Sequence, residues 1–323
     1  MFMWKQTDVY KGEVDVKRVV ITGATGAVGR ALIKVCIEAG YEVLAVVHRT
    51  SDRVSQLNTI ENCHVMYLNL TEYDSAMEEM KKLEIATDGY ELFFHLAWMA
   101  PFGEGRNNLG LQLENVKSSL AAVHFAKALG CTAFVGAGSQ AEYGRVTEKL
   151  SPDTPTFPET GYGVAKLCAG QMTRLACEQS GLKQVWTRIL SVYGPHDGNQ
   201  SLISVAIDDM MNNRETLFTP CDQVWDYIYS EDVAKAMLLA GQKGKHGNVY
   251  VIGSGEAHPL KEYIQKIAEL TNYKKEIGFG KRPYNEKQVM YLQAEISALA
   301  ELGFKSQVSF EEGIRNTICW KHS

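Results

Sequence analysis

Short apolar stretches rich in β-branched and aromatic residues recur along the chain as RVVITG, EVLAVV, HVMYLNL, ELFFHLA, TAFVGAG, QVWTRIL and NVYVIG, with helical patterns between them. Their hydrophobicity is continuous, whereas a strand with one wet face alternates. Each is therefore expected to be buried on both faces, which happens in a parallel sheet covered by helices on either side. The chain reads as α/β, a doubly wound parallel sheet. From about residue 195 the regularity weakens through GPHDGNQ, TPCDQVWD and GFGKRPYN, and helical patterns resume at LKEYIQKIAEL and AEISALAELGF. The expected division is an extension over 1–17, a sheet domain over 18–194 whose last strand, near 248–253, arrives later in the chain, and a smaller, partly helical domain over 195–323.

The first strand runs into VVITGATGAVG, with Gly23, Gly26 and Gly29 spaced three apart. Three glycines give up side-chain contacts and backbone order, so something must need the backbone bare there. A glycine-rich turn leaving a buried strand and entering a helix lets a pyrophosphate approach free N–H groups at the positive end of the helix dipole. A tight turn with close helix–strand packing would use the same glycines, and the motif alone is weak. The dinucleotide reading makes the sheet domain Rossmann-type. At the end of the second strand, AVVHRTSDR, an NAD site has an acid for the ribose 2′-OH, whereas an arginine accommodates the 2′-phosphate of NADP. Here stand His48 and Arg49, with Ser51 and Arg53 close behind. NADP(H) is expected over NAD(H).

In GYGVAK, Tyr162 and Lys166 lie four apart and share a helical face. About twenty residues earlier, GAGSQAEYG offers Ser139 just beyond a buried strand, at the carboxyl edge where ligands bind in open α/β sheets. The rest of the composition excludes more than it assigns. A net charge of −5 disfavours a nucleic-acid surface. The seven cysteines are scattered, none in a CxxC, as small core residues of a reducing compartment would be, and no metal is expected. No apolar run reaches the roughly eighteen residues of a membrane span and the first residues do not read as a signal peptide, so a cytoplasmic protein away from membranes is expected.

Together, Thr22 to Gly29, Ser139 and the Tyr162/Lys166 pair resemble the extended short-chain dehydrogenase/reductases, in the branch of nucleotide-sugar epimerases, dehydratases and reductases. HLAW at His95 to Trp98, ENVKSS with Asn115, SVYGP at Ser191 to Pro195, WDYIYSEDVAKAM and the C-terminal GKRPYNEKQVMYLQAEISALAELGF extend the likeness across nearly the whole chain. The resemblance implies that Ser139, Tyr162 and Lys166 are catalytic. It implies a cofactor held by Gly23, Thr25, Gly26, Ala27, Val28, Gly29, Arg49, Asn69, Leu70, Leu96, Ala97, Val192, Tyr162 and Lys166. A nucleotide-sugar substrate would meet Gln140, His196, Trp225 and Arg282, the last suited to phosphate oxygens by its bidentate fork.

Dehydratases of the branch carry Asp-Glu directly after the active Ser or Thr, because eliminating water needs an acid and a base. Gln140 and Ala141 can be neither, and Glu142 is displaced along the strand end. Reductases and C4 epimerases need no such pair. The arginine at the strand end favours the former, a ketoreductase consuming NADPH and acting on a nucleotide-linked 4-keto-6-deoxy sugar. His196 in GPHDG matches a histidine of members that epimerise and reduce such sugars, but Ala141 stands where those have a cysteine, which disfavours coupled epimerisation. A non-catalytic NADP-binding regulator would lose the Tyr or Lys that this chain keeps. By the same resemblance, the helices containing SSLAAVHFAKAL and AKLCAGQMTRLACEQ are expected to pair into a homodimer.

Overall fold

A computed structural model of the protein describes residues 16–322, so the expected extension lies outside the described residues except for 16 and 17. Seven strands form one sheet: β1 (Arg18–Thr22), β2 (Glu42–Val47), β3 (Cys63–Tyr67), β4 (Tyr90–His95), β5 (Ala133–Ser139) and β6 (Lys183–Ile189), with a seventh arriving later. The helices of this half are α1 (Ala27–Glu38), α2 (Ala76–Lys82), α3 (Leu109–Ala128) and α4 (Gly161–Ser180). After β6 the chain makes β7 (Ser191–Tyr193), α5 (Leu202–Met211), β8 (Val224–Trp225), β9 (Tyr227–Tyr229) and α6 (Ser230–Lys243). It returns as β10 (Val249–Ile252), the seventh strand, and ends with β11 (His258–Pro259), α7 (Leu260–Leu270), α8 (Ser297–Leu302) and α9 (Phe310–His322).

The strand order is β10-β6-β5-β4-β1-β2-β3, and every pairing in this sheet is parallel. The continuous apolar runs have a direct cause. Val19 and Ile21 of β1 pack into a layer that contains Leu32, Ile33 and Cys36 of α1 and Val233, Ala234 and Met237 of α6, whereas Val20 packs into the opposite layer with Ala122, Val123 and Ala126 of α3. Successive side chains point to opposite faces and both faces are dry.

The chain starts at the middle of the sheet, builds outward to β3, then crosses to β4 on the other side of β1. That reversal opens a crevice at the carboxyl ends of β1 and β4, the place where open α/β sheets bind ligands. The later part of the chain makes a second core from Tyr193, Ile203, Ile207, Phe218, Ile264 and Ile314, between α5, α7 and α9. This lobe stands beside the crevice. It is nested in the chain: α6 covers the sheet beside α1, and β10 pairs with β6 before α7 begins. Two aspartates stitch the parts together. Asp226 accepts from the backbone of Ser254, Gly255 and Ala294, and Asp232 from the backbone of Gln307 and Val308. Among the described residues, no helix is long and apolar enough to cross a membrane.

Candidate active site

The three glycines after β1 do different work. Gly23 has φ +70, and a Cβ there would stand 2.8 Å from the backbone N of Ala97. A Cβ on Gly29 would stand 2.4 Å from the Gly23 carbonyl oxygen. Both are required by packing between the loop, α1 and the exit of β4. Gly26 has an ordinary φ of −80 and the nearest atom to an added Cβ is 3.7 Å away, so the protein itself does not demand a glycine there. The missing side chain opens the cleft. Gly26 is also the N-cap of α1, with no side-chain cap and no acid in the first turn, so the first N–H groups and the helix dipole are left for an anion. These residues fit the pyrophosphate of a dinucleotide.

Opposite them, Thr22 Oγ1 accepts from the backbone N–H groups of Leu96 and Ala97 and hydrogen-bonds His95 Nδ1 at 3.1 Å, while His95 Nε2 meets Ser119 Oγ at 3.1 Å. Burial drives the pKa of His95 down to about 3, so it is a neutral brace. Between the two loops lies a cleft of about 950 Å³. Gly23, Thr25, Gly26, Ala27, Val28 and Gly29 line it, with Leu96 and Ala97 across from them and Leu70 and Val192 farther along.

Two of the expected cofactor residues do not line it. Arg49 is turned to acids on neighbouring elements, Nε to Glu72 Oε2 at 2.9 Å and Nη1 to Glu79 Oε1 at 3.8 Å. Asn69 is spent as the cap of the short helix over 70–75, exchanging hydrogen bonds with Glu72. Arg53 and His48 take that wall instead. Arg30, which follows Gly29, donates to the Arg53 carbonyl, and its buried Nε has no partner among the described residues. Burial and the neighbouring Arg53 lower its pKa.

Farther along the cleft, Ser139 at the end of β5 and Tyr162 in the first turn of α4 both line it, near enough for the Ser139 hydroxyl to pull the phenol pKa down. Thr160 caps α4 by accepting from Gly163 N at 3.1 Å, and Gly163 allows the helix to sit on the Ala141 carbonyl, which a Cβ there would approach to 2.3 Å. One turn on, Lys166 is buried, its Nζ donating to the Ala137 carbonyl at 2.6 Å and lying 3.7 Å from the ring centroid of Trp98. Burial pulls its pKa down to about 7, with Glu142 acting the other way. Burial raises the Tyr162 phenol, and the Ser139 hydroxyl and the Arg106 charge partly offset it.

Glu142, the ionisable residue nearest the dehydratase positions, is turned into the protein. Its carboxylate accepts from Ser139 N at 2.8 Å, Trp186 Nε1 at 3.0 Å and Arg188 Nε at 2.8 Å. It holds the strand end and is not presented to the cleft, while Gln140 is.

Trp225, His196 and Arg282 also line the cleft. Trp225 is anchored by Nε1–H donation to Ser191 Oγ at 2.7 Å, which fixes its plane. His196 has φ +62 and packs on Trp320 of α9 at 4.7 Å between centroids. Burial and the charges of Arg30 and Arg53 push its pKa down to about 4, so it faces the same arginines as the glycine-loop end of the cleft. Sequence reasoning missed Arg53, Arg106 and Gln223 as lining residues. Arg53 was within reach, since it stands in the same strand-end loop as Arg49.

The sequence profile of the NAD dependent epimerase/dehydratase family matches residues 19–253. The chain is 26% identical to dTDP-4-dehydro-6-deoxyglucose reductase of Escherichia coli over 307 residues, covering 93% of this chain and 96% of that protein. It is 24% identical to CDP-abequose synthase of Salmonella muenchen over 314 residues, covering 94% and 98%. The fold is shared with UDP-N-acetylglucosamine 4-epimerase of Methanobrevibacter ruminantium M1, with a TM-score of 0.84, 22% identity and coverage of 95% and 98%. Because the family profile runs from the first strand of the sheet to the last, the chain belongs to the NAD dependent epimerase/dehydratase family and is an enzyme of the extended short-chain dehydrogenase/reductase type.

Proposed function

We propose that the protein reduces the 4-keto group of a nucleotide-linked 6-deoxy sugar, with NADPH as reductant. The observation that carries this reading is that Ser139, Tyr162 and Lys166 line one cleft while Glu142 is locked onto Arg188 and Trp186. The site keeps one proton donor and lacks the free acid–base pair that elimination of water requires. The basic strand-end wall of His48 and Arg53 supports NADPH over NADH. Arg282 supports a diphosphate at the other end.

The chemistry that a reduced dinucleotide held at Gly23, Gly26 and Gly29 would supply is hydride for the carbonyl carbon, and the residues do the rest. The Ser139 hydroxyl holds the carbonyl oxygen at Tyr162. The Tyr162 hydroxyl gives its proton to that oxygen, so the C=O becomes H–C–O–H and the tyrosine is left anionic. Lys166, one helical turn away, stabilises that anion. Trp98 packs edge-on to the Tyr162 ring.

The direct test offers nucleotide-linked 4-keto-6-deoxy sugars and follows NADPH absorbance. Tyr162→Phe is expected to lower turnover by about 10²-fold or more with NADPH affinity little changed. If none is reduced, and nucleotide hexoses interconvert at C4 without net cofactor consumption, the enzyme is an epimerase.

A further inference from the structure

The Tyr162 ring is gripped by residues that the hydrogen-transfer step does not itself use. The guanidinium of Arg106 lies 4.4 Å from the ring centroid. It is half-buried, and among the described residues it has no carboxylate partner; its side-chain bond runs from Nη1 to the Pro101 carbonyl at 3.1 Å. The loop over 98–107 that carries it is pinned from α3 by two buried amides. Asn115 exchanges bonds with both backbone groups of Met99, and Gln112 donates to the carbonyls of Ala100 and Gly105 while accepting from Trp98 Nε1 at 2.9 Å. Arg106 is therefore held in place over the ring, and its charge is not cancelled by a neighbouring acid.

We infer that Arg106 is a positioning residue for the proton transfer, its guanidinium laid on the face of Tyr162 so that it steadies the ring and favours its anionic form. This rests on Tyr162 being the proton donor in the function proposed above. A cation is drawn to the electron-rich face of an aromatic ring, and more so once the phenol has lost its proton. The other titratable groups around Tyr162 and Lys166 come from three elements. Lys166 of α4 has its Nζ 5.8 Å from the ring centroid. Glu142, from the turn after β5, acts against Arg106 and is itself paired with Arg188 of β6. His95 of β4 is neutral. Against the rise that burial imposes on the phenol, Arg106 is one of the groups that pull it back.

The test needs no substrate. Protein labelled with difluorotyrosine, whose phenol ionises nearer neutrality, gives fluorine resonances, and the one missing from Tyr162→Phe belongs to Tyr162. Its shift with pH reports the ionisation directly. Arg106→Gln keeps a donor for the Pro101 carbonyl and loses the charge; Arg106→Lys keeps the charge. Arg106→Gln should move the midpoint up by about half a unit or more, and Arg106→Lys should stay near the parent. An unmoved midpoint in Arg106→Gln, in protein with the parent's circular dichroism, overturns the inference, as does a matching upward shift in Arg106→Lys. Reduction kinetics give the companion readout: Arg106→Gln should lower kcat more than it raises KM and move the alkaline loss of activity to higher pH. Failure of every 4-keto sugar would sink the proposed reaction while leaving the fluorine titration standing, so the two ideas fail separately.

Discussion

Arg49 and Arg53 share one loop and have opposite surroundings. Arg49 is neutralised by Glu72 and Glu79, and Arg53 lines the cleft beside Arg30. If the basic wall selects NADPH, Arg53→Ala should weaken NADPH roughly tenfold or more and leave NADH nearly unchanged, in keeping with the value of a charge-assisted bond to phosphate. Arg49→Ala should leave the preference in place. Fluorescence titration of both cofactors decides this, and equal affinities in the parent protein would reject the NADP reading. The contrast also marks what was legible in the sequence. The spacing of Tyr162 and Lys166 and the strand-end place of Ser139 are local facts, and it was the family resemblance that joined them into one site. The fate of Arg49 depended on Glu72 and Glu79, which reach it from beyond the next strand, and no local pattern carries that. Glu142 is the same case, since its partners Trp186 and Arg188 lie on the neighbouring strand.

Among elements, the loop over 98–107 depends on a neighbour, α3, for bonds to Trp98, Met99, Ala100 and Gly105. Asn115 satisfies both the N–H and the C=O of Met99, at 2.7 and 3.0 Å. Asn115→Ala leaves two part-buried backbone groups without this partner and should cost about 1–3 kcal/mol, read as a lower urea midpoint at unchanged m-value. A loss under about 0.5 kcal/mol would mean that the loop holds itself, the size expected of an ordinary surface change. The sequence flagged ENVKSS by resemblance and gave no role for it; the role is to hold a loop that has no strand or long helix of its own. The glycines of β5 had a similar hidden reason. Added Cβ atoms at Gly136 and Gly138 would fall 2.2 and 2.3 Å from the Trp186 side chain, which lies across the strand and ends on Glu142. A strand can be read from its apolar run, but the large side chain that explains its small residues sits on another strand.

At the scale of the whole molecule, the seven strands were legible because burial on both faces writes continuous apolar runs. The smaller lobe was less so, because its short strands β8, β9 and β11 are two or three residues long and leave no periodicity. Leu109 and Leu113 on α3, and Val164, Met172 and Leu175 on α4, are exposed apolar residues on two helices packed against each other. A second copy of the chain covering this face would make the expected homodimer. Sedimentation at micromolar concentration should give twice the monomer mass, and Met172→Glu with Leu175→Glu should return it to one; a monomeric parent would end this expectation. The nesting of the smaller lobe has a consequence for how the chain is born. Synthesis delivers β6 with one edge bare, then the whole of α5 and the short strands, and only afterwards the β10 that covers that edge. The sheet therefore cannot be completed in the order of the chain: until Ile252 has emerged from the ribosome, the edge of β6 stays bare and α8 has no β10 to pack against.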